Sequence, residues 1–222
     1  MPQLREPKTL VSLCQDGIEA KIYNGNYTKS WLQSVGELIP YSIADNFLEN
    51  ILKNVENCSC PDLEPLFTAK IKKLTLSEDT ENETWDDTIY PFLLQFTRGC
   101  SQLQKLFIST NVCKKFNHDV RQLLENIDFT ENLKSLIVES CLYVLNTEDI
   151  TLKVFEKLKQ LEFLEELDLS GAKLNEECLK VILKMTKLVS LTLNNCKLSS
   201  IQVLQILTGI PRLKILGKLE NH

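Results

Sequence analysis

The side chains in this sequence with the richest intrinsic chemistry are eight cysteines and two histidines. Thiolates and imidazoles serve as nucleophiles, general bases and zinc ligands when they are grouped at fixed spacings. Only Cys58 and Cys60 form a close pair, and no second pair or neighbouring histidine completes a zinc-binding set. The other cysteines stand mostly among apolar residues, where a thiol acts as a small hydrophobic group. The sequence therefore predicts reduced thiols and no metal site.

Catalytic motifs of the common hydrolases and nucleotide-binding enzymes are missing from the sequence. It contains no Gly-x-Ser-x-Gly, Ser-x-x-Lys or His-Glu-x-x-His motif, and its seven glycines form no phosphate-binding loop. His118 stands in FNHDV, ahead of a predicted helix, where we expect it to cap the helix or face solvent. We therefore expect a protein that is not an enzyme and that needs no cofactor.

Composition excludes several classes of partner. The 222 residues are 43% hydrophobic and 25% charged, which is typical of a folded globular protein. A net charge of −5 disfavours nucleic acid, because phosphate contacts need clustered lysine and arginine. No apolar run reaches the roughly 18–20 residues of a membrane-spanning helix. The first ten residues lack the apolar core of a signal peptide, so we expect a cytoplasmic or nuclear protein without a membrane partner.

A Leu-x-x-Leu-x-apolar pattern recurs along the C-terminal two thirds of the chain. It reads LQKLFI, LKSLIV, LEELDL and LVSLTL, starting at Leu103, Leu133, Leu164 and Leu188, with weaker copies in IKKLTL and LKILGKL. The copies begin about 24–32 residues apart, close to the period of leucine-rich repeats. Between them lie segments with apolar residues at i, i+3, i+4 and i+7, typical of amphipathic helices. Asn175 and Ser199 precede two of these segments as N-caps.

The region 71–219 resembles leucine-rich repeat proteins. The resemblance implies an α/β fold: a short leucine-rich repeat solenoid with parallel concave strands and convex helices. We assign residues 61–222 to this solenoid, with about five to six repeats. Residues 1–60 form a separate small helical module ahead of it, in which the segment 8–56 predicts three short helices. Such helices also suit a cap on the first repeat, because an exposed repeat needs covering.

Alternation along the predicted strands assigns a face to each side chain. The leucines of the pattern point into the core, and the residues between them form the concave face. Two columns of aligned side chains should cross this face: Lys73, Lys105, Ser135, Glu166 and Ser190, and beside them Thr75, Phe107, Ile137, Asp168 and Thr192. Phe107 and Ile137 should form an apolar contact patch, unless a loop covers them. We expect a protein substrate to contact Lys105, Phe107, Ile137, Glu139, Asp168, Thr192 and Asn194.

Two short motifs stand in the helical module. Thr9-Leu10-x-x-x-Cys14-x-x-x-Ile18 matches the elongin-C-binding box, which reads small residue, Leu, three residues, Cys, three residues, aliphatic. Ile39-Pro40-x-x-Ile43-x-x-x-Phe47 matches the cullin-2 box. Together and in this order they resemble the VHL box. A VHL box ahead of leucine-rich repeats resembles the Zyg/Zer family of substrate receptors and, more distantly, the PRAME-like receptors.

The resemblance implies an adaptor of a cullin-2, elongin B, elongin C and RING ubiquitin ligase. Leu10 would fill an apolar pocket of elongin C, with Cys14 and Ile18 packed beside it. Ile39, Pro40, Ile43 and Phe47 would face cullin-2. Zyg/Zer relatives continue into armadillo-type repeats, which residues after 219 do not supply here. The resemblance therefore carries over the adaptor boxes and the scaffold, without the substrate chemistry of that family.

Two alternatives use the same residues. IPYSIADNFLENIL resembles the start of an F-box, but the chain continues to Cys58, Pro61 and Pro65 and then to a repeat-like strand at Ile71. An F-box also leaves the Leu10, Cys14 and Ile18 spacing unexplained. The second alternative is a stand-alone protein-binding scaffold, in which the three helices only cap the solenoid. That scaffold would bury Leu10 and Cys14 against its own repeats.

Overall fold

A computed structural model describes residues 10–53, 63, 65–66, 70–77, 102–126 and 132–217. Three helices come first: α1 (Leu10–Tyr23), α2 (Lys29–Leu38) and α3 (Tyr41–Lys53). Six strands follow: β1 (Lys73–Leu76), β2 (Lys105–Ile108), β3 (Ser135–Val138), β4 (Glu166–Asp168), β5 (Ser190–Thr192) and β6 (Ile215–Leu216). Among the described residues, five more helices lie between the strands: α4 (Thr110–Lys115), α5 (Asn117–Asn126), α6 (Glu148–Leu158), α7 (Glu176–Lys184) and α8 (Ser200–Gly209).

The six strands form one parallel sheet whose strand order is the chain order. The α/β class and all six predicted strand positions are confirmed. The register also confirms both predicted columns, because Lys105 pairs with Ser135 and Phe107 pairs with Ile137 across β2 and β3. Asp168 follows Ile137 in the same column, on β4. We call the face that carries these two columns the outer face of the sheet.

The core lies on the other face of the sheet. Leucine, isoleucine and valine at alternate strand positions are almost fully buried there, from Leu74 on β1 to Leu191 on β5. The helices that follow the strands pack on one another in chain order, with α6 against α7 and α7 against α8. None of the described helices has the length and apolar character needed to cross a membrane.

The backbone turns in the same way after three successive strands. Ser140, Gly171 and Asn195 have φ of 57°, 86° and 58°, and each lies five positions after the first residue of its strand. Only glycine adopts this conformation at little cost. At Gly171 a Cβ would also lie 2.9 Å from Leu142 Cβ, so a side chain cannot be accommodated there without movement.

Helix ends follow the predicted capping residues. The Asn175 side chain accepts a hydrogen bond from the Cys178 N–H at 2.9 Å, and Ser199 forms a reciprocal capping box with Gln202. Helix α1 ends at the Asn24-Gly25-Asn26 turn, where Gly25 has φ of 66°. Helix α4 was not predicted, because its six residues are too few for an amphipathic period.

An aspartate closes the β1 edge of the sheet. At each of the five strand pairs, two successive N–H groups donate to one carbonyl oxygen of the preceding strand, as Lys134 and Ser135 do to Gln104. Among the described residues, no strand precedes β1 in the sheet. There the N–H groups of Lys72 and Lys73 donate instead to Asp45 Oδ1, at 2.8 and 3.0 Å. A side-chain carboxylate of α3 thus replaces the missing carbonyl oxygen.

Further polar contacts hold the helical module on this edge. Glu49, one turn after Asp45, forms an ion pair with Lys73 at 3.1 Å. The Lys70 ammonium donates to the Ile39 carbonyl oxygen at 3.0 Å and also to that of Glu37, at the end of α2. These contacts satisfy carbonyls that the last turn of a helix leaves unpaired. The module is therefore joined to the sheet by directed hydrogen bonds as well as by apolar packing.

We predict that Asp45→Ala destabilises the fold by about 1–3 kcal/mol, because two backbone N–H groups lose a charged acceptor. Glu49→Gln is the matched control. It removes only a partly exposed ion pair and should cost less than about 1 kcal/mol. Urea unfolding followed by circular dichroism measures both values. Equal stability of the two variants would contradict a capping role for Asp45.

Candidate functional site

An apolar groove of about 320 Å³ opens on the helical module. It lies between α1, the end of α2 and the start of α3. Its lining residues are Cys14, Gln15, Ile18, Val35, Leu38, Ile39, Pro40, Ile43 and Phe47. Gln15 is the one polar side chain among them, so the groove favours an apolar occupant. We call it the module groove.

Helix α1 is held at its C-terminal half and exposed at its N-terminal half. Ile22 is fully buried, the Tyr23 hydroxyl donates to the Asn50 carbonyl oxygen at 3.1 Å, and the Lys21 ammonium lies 4.3 Å from the Trp31 ring. One to two turns earlier, Cys14 is exposed. The first part of α1 thus forms one wall of the module groove without being sealed against the other helices.

The two predicted motifs meet in this groove. Cys14 and Ile18 of the first motif stand on α1, and all four residues of the second motif line the same groove: Ile39, Pro40, Ile43 and Phe47. Ile39 and Phe47 are buried at its base, whereas Pro40 is exposed and Ile43 is half-buried. Leu10 is the first residue of α1, and its side chain lies outside the described residues. Six of the eight named motif residues therefore share one surface.

Sequence reasoning did not assign three lining residues of this groove to a site: Gln15, Val35 and Leu38. Leu38 stands on α2 with Val35, but its side chain is 80% exposed. It is the last residue of α2, and the turn through Ile39 and Pro40 leads the chain away before anything covers it. An apolar residue directly ahead of an Ile-Pro pair was the available signal.

Helix α3 uses opposite sides for its two contacts. Consecutive helical residues are rotated by about 100°, so residues two apart point in nearly opposite directions. Phe47 therefore faces the module groove, while Asp45 and Glu49 face the edge of the sheet. Because the residues of α3 that contact the sheet lie on one side of the helix, the side of α3 that faces the groove remains available for another contact.

The outer face of the sheet carries the predicted substrate-binding residues. Lys105 is exposed, and Phe107 and Ile137 lie side by side and are half-buried. The predicted adjacency of these two apolar side chains is confirmed. Thr192 is half-buried in the same column and packs closely against Gly217, the residue that follows β6.

Three half-buried carboxylates stand together at β3 and β4 on this face. Asp168 accepts hydrogen bonds from the Ser170 N–H and hydroxyl at 2.9 and 2.7 Å. The Ser135 hydroxyl donates to Glu166 at 2.6 Å, and Glu139 accepts from the N–H and hydroxyl of Thr110. Burial raises the pKa of Asp168, the Ser170 hydrogen bonds oppose that rise, and the nearby charges of Glu139 and Glu166 add to it.

Asn194 plays a structural part through its backbone. Its carbonyl oxygen accepts a hydrogen bond from the Gly171 N–H at 2.7 Å, which joins the turns after β4 and β5. Its side-chain Oδ1 is buried and has no hydrogen-bond partner among the described residues. Asn194 therefore lies at the end of the outer face, where its side chain does not project freely as a contact residue.

The buried cysteines behave as core residues. Burial, reinforced by Glu139, raises the pKa of the Cys113 thiol to about 12, and burial raises that of Cys196 to about 11. The pKa values of Cys141 and Cys178 are raised for the same main reason. A neutral thiol is a poor nucleophile and a poor metal ligand. Among the described residues, no cluster of His, Cys, Asp and Glu has a geometry that could hold a metal ion.

Neither protein-family models nor curated protein sequences match this chain. Function is therefore inferred from two surfaces, the module groove and the outer face of the sheet. The first is apolar and lined by two sequence motifs, and the second combines charged and apolar side chains.

We predict that Asp168→Asn stabilises the protein at pH 7. When the pKa of an acid is higher in the folded chain than in the unfolded chain, the unfolded chain loses the proton at lower pH. The free energy of unfolding therefore falls as the pH rises from the lower pKa to the higher one. Asparagine keeps an oxygen acceptor for Ser170 and removes the charge. Urea midpoints should be higher than wild type at pH 7, and the gain should shrink in acid. Glu162→Gln, in an exposed turn, is the control. A lower midpoint for Asp168→Asn at pH 7 would contradict this account.

We predict that N-ethylmaleimide modifies Cys14 much faster than Cys113, Cys141, Cys178 or Cys196 in the folded protein, because only Cys14 of these is exposed. Mass spectrometry of proteolytic peptides over a time course measures each rate. Labelling in urea should equalise the rates. A Cys14 as protected as Cys141 in the native chain would show that the module groove is closed.

Proposed function

We propose that this protein is a non-catalytic substrate adaptor of a cullin-2, elongin B and elongin C ubiquitin ligase. The helical module binds elongin C through Leu10, Cys14 and Ile18, and cullin-2 through Ile39, Pro40, Ile43 and Phe47. The outer face of the sheet binds the target protein. The observation that carries the proposal is the convergence of two separate motifs on the module groove.

The two motifs are separate in the sequence, so their meeting at one groove supports a shared function and does not follow from adjacency along the chain. Residues that only stabilise a cap would be expected to point into the core, as Leu48 and Ile51 of α3 do. Cys14 and Leu38 are instead exposed beside the groove. Burying a leucine or isoleucine side chain in a partner contributes about 1.5–3 kcal/mol, so a few such residues supply much of a binding energy.

The mechanism is proximity. An adaptor that holds the ligase with its helical module and a target with its sheet raises the effective concentration of target lysines near the conjugating enzyme. It supplies no catalytic side chain and needs no cofactor. Such an adaptor acts in the cytoplasm or the nucleus, where these ligases and their targets meet.

The sheet-bearing region is, within this proposal, a short leucine-rich repeat solenoid. Three features support that class: one strand per 24–32 residues, parallel in-register pairing in chain order, and the recurring left-handed residue at Ser140, Gly171 and Asn195. The outer face then corresponds to the concave face of the solenoid. Lys105, Phe107, Ile137, Glu139, Asp168 and Thr192 remain the proposed contact residues for a target, and Asn194, whose side-chain oxygen is buried, is left out of that set.

One observation favours the alternative of a stand-alone binding scaffold. Asp45 completes the hydrogen bonding of β1, so the helical module has a sufficient structural role without any partner. The two functions differ in what the module groove does. An adaptor buries it against elongin C, whereas a scaffold leaves it in contact with solvent.

We predict that Leu38→Asp weakens capture of elongin C. The chain, tagged and co-expressed with elongin B and elongin C, is purified and the captured elongin C quantified. Aspartate at an exposed rim position should not disturb folding, but it places an unpaired charge in an apolar contact and should weaken capture at least about tenfold. The double variant Leu10→Ala, Cys14→Ala should weaken it in the same direction.

Leu204→Asp is the matched control, because Leu204 is also an exposed helical leucine, 60% accessible, and stands on α8 away from the groove. It should capture elongin C as wild type does. Cullin-2, added afterwards, should bind the wild-type complex and bind more weakly when Pro40 is replaced by alanine. Undiminished capture by Leu38→Asp would exclude the groove as the contact. Failure of the wild-type chain to capture elongin C would leave the scaffold function.

A further inference from the structure

The outer face of the sheet separates its charges into two ends. Lys73 and Lys105 are aligned neighbours on β1 and β2. Glu166 and Asp168 stand on β4, and Glu139 lies just beyond β3. Lys73 is paired with Glu49 of α3, whereas Lys105 is exposed and has no ion pair within the described part of the chain.

The acidic end has no cation of its own among the described residues. The hydrogen bonds of its three carboxylates come from Ser135, Ser170 and Thr110, all neutral donors. None of the three forms an ion pair with a described lysine or arginine. These hydrogen bonds fix the carboxylates in place and leave their mutual repulsion uncompensated. A cationic group from another molecule would relieve that repulsion.

An apolar patch separates the two ends. Phe107 on β2 and Ile137 on β3 lie side by side, half-buried, in the column that continues to Asp168, next to the column that holds the two lysines and Glu166. The face is therefore basic on β1 and β2, apolar on β2 and β3, and acidic at β3 and β4. Each of these three zones is formed by side chains on neighbouring strands.

The spacing of the zones matches an extended peptide. Adjacent strands are about 4.8 Å apart, so β1 and β4 are separated by about 14 Å. An extended chain advances about 3.3 Å per residue and points alternate side chains to the same side. Residues i, i+2 and i+4 of a peptide crossing the strands therefore span about 13 Å, with the middle side chain above Phe107 and Ile137.

We propose that the outer face recognises an extended protein segment of the form acidic, x, apolar, x, basic. The acidic side chain pairs with Lys105 and Lys73, the apolar one packs on Phe107 and Ile137, and the basic one is held by Glu166, Asp168 and Glu139. The proposal rests on the proposed function in so far as the segment belongs to a ubiquitination target. A segment with the same charge at both ends meets a like charge at one end and is rejected.

Three fluorescein-labelled peptides test this specificity by fluorescence anisotropy. They share the core Ser-Leu-Ser and carry Asp before it and Arg after it, Asp on both sides, or Arg on both sides. The wild-type protein should bind the Asp and Arg peptide at least about tenfold more tightly than either of the others. Lys105→Glu makes both ends of the face acidic, so its preference should switch to the peptide with two arginines.

Lys153→Glu is the matched control, an exposed lysine on α6, which packs on the core side of the sheet. It should keep the wild-type preference. Equal binding of the three peptides, no binding of any, or an unchanged preference in Lys105→Glu would overturn the proposal. Capture of elongin C by the Lys105→Glu variant tests the adaptor function separately. Normal capture of elongin C without selectivity among the peptides refutes only the proposed class of target segment. Selectivity among the peptides without capture of elongin C refutes only the adaptor function.

Discussion

The contact between Asp45 and the first strand is the interaction on which the rest of this molecule depends. A parallel sheet built in chain order has an unpaired edge at its first strand, and exposed edges invite unwanted pairing. Here one carboxylate oxygen accepts the two N–H groups that a preceding strand would have bound. The helical module is thereby fixed to the sheet in a defined orientation, so the module groove and the outer face of the sheet hold a fixed relation to each other.

That orientation explains why one helix can serve two purposes. With Asp45 and Glu49 turned to the sheet, the helical period directs Ile43 and Phe47 to the opposite side. The groove formed there with α1 is apolar and open. At the other end of the chain, Leu204 and its neighbours Ile201 and Leu207 on α8 are also exposed.

Much of the fold was predictable because its signals are local. A leucine pattern of period two and helical stripes of period 3.6 located all six strands and four of the helices that follow them. The columns on the outer face followed from alternation alone. Asp45 was not predicted, since an aspartate in a helix gives no sign that its partner is a strand about 30 residues later. The exposure of Leu38 was missed for a related reason: burial depends on what the chain does after the helix ends.

The proposed adaptor role makes one claim that can be measured directly, which is that the module groove is where the ligase binds. Hydrogen–deuterium exchange of the intact chain with and without purified elongin B and elongin C measures this at each backbone amide. The account predicts slower exchange in α1 and around Ile39 to Phe47, and unchanged exchange in β2 to β5. Protection confined to the strands, or no change in α1 at saturating elongin C, would contradict it.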